Sequence, residues 1–324
     1  MLRSIIVRKI GFITIITICF NERIIWCNKM IYVNITGGLG NQMFQYAIAR
    51  KYQLETGQKI VFNIYELKNF KKSRTYQLDG FNISNNVEIS DKKLPWFVHR
   101  RNYINKILRK ISPKGYLFIM SKIYNSIIWY LETKVELPKL NKEKDIYIGG
   151  YWQSNYYFKD INDLILKDFS AKKELKPENI NLYEKIINSE SICVTIRRGD
   201  YITDSKYKKL YYICDNKYFI KGVDNIRKEI PLAKVFVFSD DVEWVKNNID
   251  FGCETYYESG FDDVWEKMML MSSCKHFVIS NSTFSWWAQH LSRNHNKIVY
   301  APSRWYPDNR KCDIYEENWK YIDV

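Results

Sequence analysis

The chain has no Cys-x-x-Cys spacing, no Asp-x-Asp triplet and no apolar run long enough to cross a bilayer. Each absence removes a class of protein. The seven cysteines, Cys19, Cys27, Cys193, Cys214, Cys253, Cys274 and Cys312, are scattered and odd in number, which fits reduced thiols and not a disulfide framework. Only four histidines are present (His99, His276, His290, His295), and none stands in ligand spacing with the cysteines, so zinc is disfavoured. Without Asp-x-Asp the usual carboxylate clamp for a metal-bound nucleotide sugar is missing. The one glycine-rich turn, Gly37-Gly-Leu-Gly40, has Met43 where a dinucleotide fingerprint needs its third glycine, which excludes NAD. The apolar stretch Ile10 to Phe20 is too short to span a membrane unaided. There is no internal repeat and no low-complexity tract.

What is present is a large core and an excess of positive charge. In 324 residues, 46% are hydrophobic and 16% aromatic, which excludes disorder, predicts two domains and favours sites that stack flat ligands or sugar rings. Lys and Arg number 50 against 36 Asp and Glu, a net charge of +14, so an anionic partner is expected. Part of the excess is local, at Lys68, Lys71, Lys72 and Arg74 and again at Arg100, Arg101, Lys106, Arg109, Lys110 and Lys114. An anionic membrane surface ranks ahead of nucleic acid, for which no recognition motif exists. Met30 stands directly before the first good strand, so residues 1–29 read either as an upstream extension or as a membrane-associating segment. The expected location is cytoplasmic, with peripheral contact to the inner face of the membrane.

Periodicity then sets the fold class. Ile31 to Ile35 alternates as a strand, Asn41 opens a helix after the glycine turn, Gly57 ends it and Lys59 to Phe62 is the next strand, a βαβ unit. Residues 91 to 137 are basic, aromatic and irregular, and read as helical. From Ile192 strands and helices alternate to a last strand at Lys297 to Ala301. Such alternation means parallel, doubly wound sheets with ligands at the carboxyl ends of the strands. Two halves imply two Rossmann-like domains facing across a cleft, divided as 30–155 and 156–324.

Four segments carry candidate chemistry. Ile192 to Ile196 delivers Arg197 and Arg198 to a strand end, with Asp200 one glycine later; adjacent guanidiniums neutralise a diphosphate without a metal, although such a turn also merely closes strands. Gly38 and Gly40 let backbone N–H groups approach a ligand, and Asn41 and Gln42 add side-chain donors. Ser282, Thr283, Phe284 and Ser285 open a helix after a buried strand, where hydroxyls serve a phosphate or ordinary capping. Asp240 and Asp241 end another strand, where a carboxylate accepts from a ribose or base, or simply favours a helix start. Tyr151, Trp152 and Gln153 belong to an aromatic cluster at the expected domain junction that suits a stacked sugar or core packing. The sequons at Asn34 and Asn281 fall inside these segments, which argues against glycosylation.

Taken together the blocks Gly37 to Ala47, Gly150 to Ser154, Ile196 to Tyr201 and Ser280 to Trp287 resemble the α-1,2-fucosyltransferase family, glycosyltransferase family 11, in its bacterial form. The resemblance implies a GT-B-like α/β fold and inverting transfer of L-fucose from GDP-fucose to the 2-hydroxyl of a terminal β-galactoside, as in cell-surface glycan or O-antigen synthesis, with no cofactor and no obligatory metal. It implies that Arg197 and Arg198 hold the diphosphate, that Ser282, Thr283 and Ser285 supply neutral donors, that Asn41 and Gln42 line the donor cleft and that Asp240 or Asp241 contacts guanosine. Asp200 would orient the arginines or take the acceptor proton. One departure is evident: the family pattern His-x-Arg-Arg-x-Asp begins here with Thr195, so that histidine's role is either replaced or structural. A related transferase with another nucleotide sugar, or a non-catalytic basic surface binder, are the competing readings.

Overall fold

The computed structural model describes residues 29–69, 74–99, 102–129, 133–199 and 205–324. The first half contains β1 (Met30–Asn34), α1 (Leu39–Thr56), β2 (Lys59–Asn63), α2 (Tyr65–Asn69), β3 (Val87–Ser90), α3 (Tyr103–Ile111), α4 (Pro113–Tyr124), β4 (Ser126–Trp129) and β5 (Ile146–Gly150). The second contains α5 (Asn162–Asp168), α6 (Pro177–Ile187), β6 (Ser191–Ile196), α7 (Ser205–Tyr211), α8 (Asn216–Glu229), β7 (Lys234–Ser239), α9 (Val242–Asn248), β8 (Thr255–Tyr257), α10 (Val264–Ser272), β9 (His276–Val278), α11 (Thr283–Leu291), β10 (Val299–Pro302) and β11 (Lys320–Ile322).

The strands form two sheets, in the orders β3-β2-β1-β5-β4 and β11-β10-β9-β6-β7-β8, and every pairing is parallel. Strands covered on both faces read as continuous apolar runs, which is why Ser-Ile-Cys-Val-Thr-Ile of β6 is buried along its whole length. The expected two Rossmann-like halves are therefore present. Four strands escaped the sequence reading. β4 lies inside the stretch read as helical, because α4 ends at Asn125 in a left-handed conformation (φ 48°) and only four residues follow as strand. β3 and β11 span only four and three residues, and β5 ends in two glycines. The helix expected from Asn41 starts two residues earlier, at Leu39.

The halves share one core. Phe44 of α1 lies 4.7 Å from Trp286 and 4.9 Å from Trp287 of α11, ring centre to ring centre, and Phe158 stacks on Trp287 at 5.5 Å. Residues 155–172 bridge the two sheets: Asp168 accepts from Arg50 Nε at 2.9 Å, and Asn162 meets His290 at 2.9 Å. The division expected at 155/156 falls at the start of this bridge. Among the described residues no helix is long and apolar enough to cross a membrane, and the five described cysteines are free. Residues 1–28 lie outside the described residues.

Candidate functional site at the facing strand ends

In a parallel α/β sheet the helix after a strand starts at that strand's carboxyl end. The starts of α1 and α11 touch: an added Cβ at Gly40 would lie 2.5 Å from the Thr283 carbonyl carbon and 2.6 Å from Phe284 N. Trp287 Nε1 also donates to Gly40 O at 2.9 Å. The carboxyl edges of the two sheets therefore face one another, and this contact requires a glycine. Of the residues expected to bind a ligand, Arg197, Arg198, Asp240, Asn41 and Thr283 lie along that edge.

On the second sheet, Ile196 pairs with Ser239, so Arg197 and Asp240 leave the sheet side by side. Asp240 gathers the arginine turn. Its Oδ1 accepts from Arg198 N at 2.8 Å and Gly199 N at 3.1 Å, while Oδ2 meets Arg197 Nη1 at 3.0 Å. Arg198 is held from below, with its guanidinium carbon 3.1 Å from the Trp244 ring centre and Nε 3.4 Å from Asp241. Such planar stacking suits Arg and not Lys. Both aspartates expected to meet guanosine thus pair with the arginines. Beneath them, buried Glu258 accepts from Ser239 N at 2.7 Å and pairs with Lys267 at 2.7 Å. Burial pushes the Glu258 carboxyl above its ordinary value, against the opposing pull of Lys267. Asp200 lies outside the described residues.

Thr195 is buried, and its hydroxyl accepts from Ser280 N at 3.0 Å. The residue standing in the family's histidine position is therefore a structural tie between β6 and the loop after β9. That loop is further fixed by Asn281, whose Nδ2 donates to Tyr211 O at 2.8 Å and Trp305 O at 3.0 Å. Ser282 caps α11, accepting from Phe284 N at 3.3 Å, and buried Ser285 bonds Ser280 at 3.1 Å. Thr283 and Phe284 stay partly exposed at the helix start, against Gly40.

On the first sheet the expected donors divide. Gln42 is fully buried, giving Nε2 to Gly37 O at 3.0 Å and Thr75 O at 2.9 Å and accepting from Gln77 N at 2.9 Å. Both of its N–H donors are spent, one on Gly37 and one on the loop at 75–77, so it frames the cleft without offering a donor. Asn41 remains at the edge, its Oδ1 accepting from Gln153 Nε2 at 2.7 Å. Gly38 is partly exposed and has open space above it. Trp152, at φ 53°, is buried with its ring edge-on to Tyr157 at 5.0 Å. Its ring is core and is not available to stack a sugar; its left-handed backbone swings Gln153 back to Asn41. Tyr151 is half-buried beside them.

Sequence reasoning missed Trp244 and Glu258, which support the site from residues remote in sequence. The sequons Asn34 and Asn281 are both buried. Among the described residues, no three His, Cys, Asp or Glu side chains converge as a metal site.

Two all-parallel Rossmann-like sheets meeting at their carboxyl edges, with paired arginines on one side, define a GT-B-like α/β protein. The sequence profile described as Glycosyl transferase family 11 matches residues 30–323, and the chain belongs to that family. It is 29% identical over 309 residues to an alpha-1,2-colitosyltransferase of Escherichia coli, covering 91% of this chain and 99% of that one. It is 30% identical to the O-antigen biosynthesis glycosyltransferase WbnK of Escherichia coli, covering 89% and 99%. A galactoside 2-alpha-L-fucosyltransferase of Caenorhabditis elegans is 25% identical, with 91% and 79% covered.

Proposed function

We propose that the chain is an inverting, metal-independent glycosyltransferase that moves L-fucose from GDP-fucose to the 2-hydroxyl of a terminal β-galactoside in the synthesis of a cell-surface glycan such as O-antigen. The observation that carries this reading is the Arg197–Arg198 turn, preset by Asp240 and Trp244 at the carboxyl end of β6. In the reaction the acceptor oxygen bonds to C1 of the sugar as the bond from C1 to the diphosphate breaks. The electron pair goes to the departing phosphate oxygen, where the two guanidiniums and the hydroxyls of Ser282 and Thr283 meet the growing charge. The acceptor proton leaves for a base, a role that Asp200 would fill from beside the arginines. Asn41 and Gln153 would hold sugar hydroxyls from the opposite domain, since the two are joined and lie at the edge.

The E. coli colitosyltransferase relative favours a second donor, GDP-colitose, which lacks only the 3-hydroxyl of fucose. Thermal stabilisation by GDP and by UDP, each in chelator, tests the common part. GDP at about a hundredfold over its Kd stabilises by about 2.7 kcal/mol, UDP does not, and Arg197→Ala removes the effect. Equal response to both nucleotides, or none to either, refutes the reading. Transfer from GDP-fucose and GDP-colitose to galactosides, with the linkage read by NMR, decides between donors.

A further inference from the structure

The helical hairpin of α3 and α4 is turned inside out. At 100° per residue, Tyr103, Ile104, Ile107, Leu108 and Ile111 fall within an arc of about 140°, and that apolar arc faces solvent. Tyr103 is 74% exposed and Ile111 76%. The opposite, polar flank faces the protein: Asn105 is buried and donates from Nδ2 to Phe97 O at 2.8 Å and His99 O at 3.2 Å. Arg109 lies on the same flank, 6.0 Å from the Tyr116 ring centre. A nine-residue helix has no stability of its own, so in a globular fold the apolar arc belongs against the core. α4 adds exposed Phe118, Ile119 and Ile123 beside Lys122, while its Tyr116, Leu117 and Met120 fill the core. Ser112 ends α3 and caps α4, fixing the two as one unit.

Charge says what covers this face. From residue 92 to 131 the sequence has nine Lys and Arg and no Asp or Glu. Lys106 and Lys110 border the apolar arc on α3, and Lys114 and Lys122 are exposed on α4. A second copy docking through the same face would set this basic hairpin against itself, so a symmetric dimer is opposed by like charge. The boundary between headgroups and acyl chains of an anionic bilayer offers what both components need, apolar depth and negative charge. We propose that the α3–α4 hairpin is a peripheral docking surface for a bilayer carrying anionic phospholipids. It does not depend on which sugar the site transfers.

The test is flotation of the full chain with vesicles of phosphatidylcholine, with and without phosphatidylglycerol. The wild type floats with the anionic vesicles and is released by salt. Lys106→Glu with Lys110→Glu weakens binding at least about 25-fold, about fivefold for each cation removed from an anionic surface. Ile104→Ser with Ile111→Ser weakens it more than about tenfold with the thermal midpoint nearly retained, because these two side chains are mostly in solvent, 52% and 76% exposed. Wild-type flotation by both variants overturns the proposal and points to another segment as the anchor. Equal flotation with neutral vesicles overturns it also, as does a wild-type dimer that the isoleucine variant separates without losing flotation.

Discussion

Asp240→Ala removes an acceptor shared by three donors, Arg198 N, Gly199 N and Arg197 Nη1. The two backbone bonds contribute about 1 kcal/mol each. The ion pair joins side chains 33% and 26% exposed, so solvent screening limits it to at most about 1 kcal/mol. Loss of about 2–3 kcal/mol frees the arginine turn and lowers the thermal midpoint by about 4–12 °C. If the turn is what stabilises the departing diphosphate, kcat falls about a hundredfold, the scale seen when one preorganised donor to a developing anion is lost. Asp240→Asn keeps an oxygen for the two N–H groups and gives up only the ion pair, so its loss in kcat is several-fold smaller. Steady-state kinetics with the sugar donor varied, together with calorimetric Kd values for GDP and ADP, measure both effects. A carboxylate that instead reads guanine produces another pattern. Both variants would then keep kcat, raise KM and lose the preference for GDP over ADP, and that result would refute the positioning role argued for Asp240.

Two further outcomes follow from the packing and the titrating groups. Gly40→Ala puts a methyl 2.5 Å from the Thr283 carbonyl carbon and 2.7 Å from its oxygen, backbone that cannot swing aside. It costs about 1–3 kcal/mol, whereas Gly38→Ala, with nothing of the protein within 4 Å, leaves the thermal midpoint unchanged; equal midpoints for the two variants would sink the interdomain contact as the reason for glycine at 40. Burial holds the His276 imidazole below its ordinary value, with Glu190 pulling the other way, and its Nδ1 accepts from Ile298 N at 3.1 Å. Between that lowered value and about 6.5 the unfolded chain binds the extra proton, so stability falls as pH drops through about 6.5, by at most about 1.4 kcal/mol per pH unit. Denaturant midpoints at about pH 7.5 and about pH 5.5 should converge in His276→Gln, and a variant as pH-sensitive as the wild type would remove His276 as the cause.

By itself the sequence determined the class of fold and the position of the site along the chain. Apolar runs such as Ser191–Ile196 and Lys234–Ser239, alternating with helices, fit strands of a parallel sheet buried on both faces, and their ends name Arg197, Arg198 and Asp240 as edge residues. The family resemblance read from four motif blocks is borne out across residues 30–323. Tertiary structure decided what each residue faces. Gln42, Ser285 and Trp152 are polar or aromatic residues inside motif blocks, yet helix phase and backbone angle turn them into the framework, and no local pattern records that rotation. Trp244 meets Arg198, and Glu258 meets Ser239 N at the end of β7, only because β6, β7 and β8 lie in register. α3 shows the same limit from the other side. Its amphipathic spacing fixes which residues share a face, but whether that face meets the core or the solvent is a matter of tertiary contacts, among them the bonds from Asn105 to Phe97 O and His99 O.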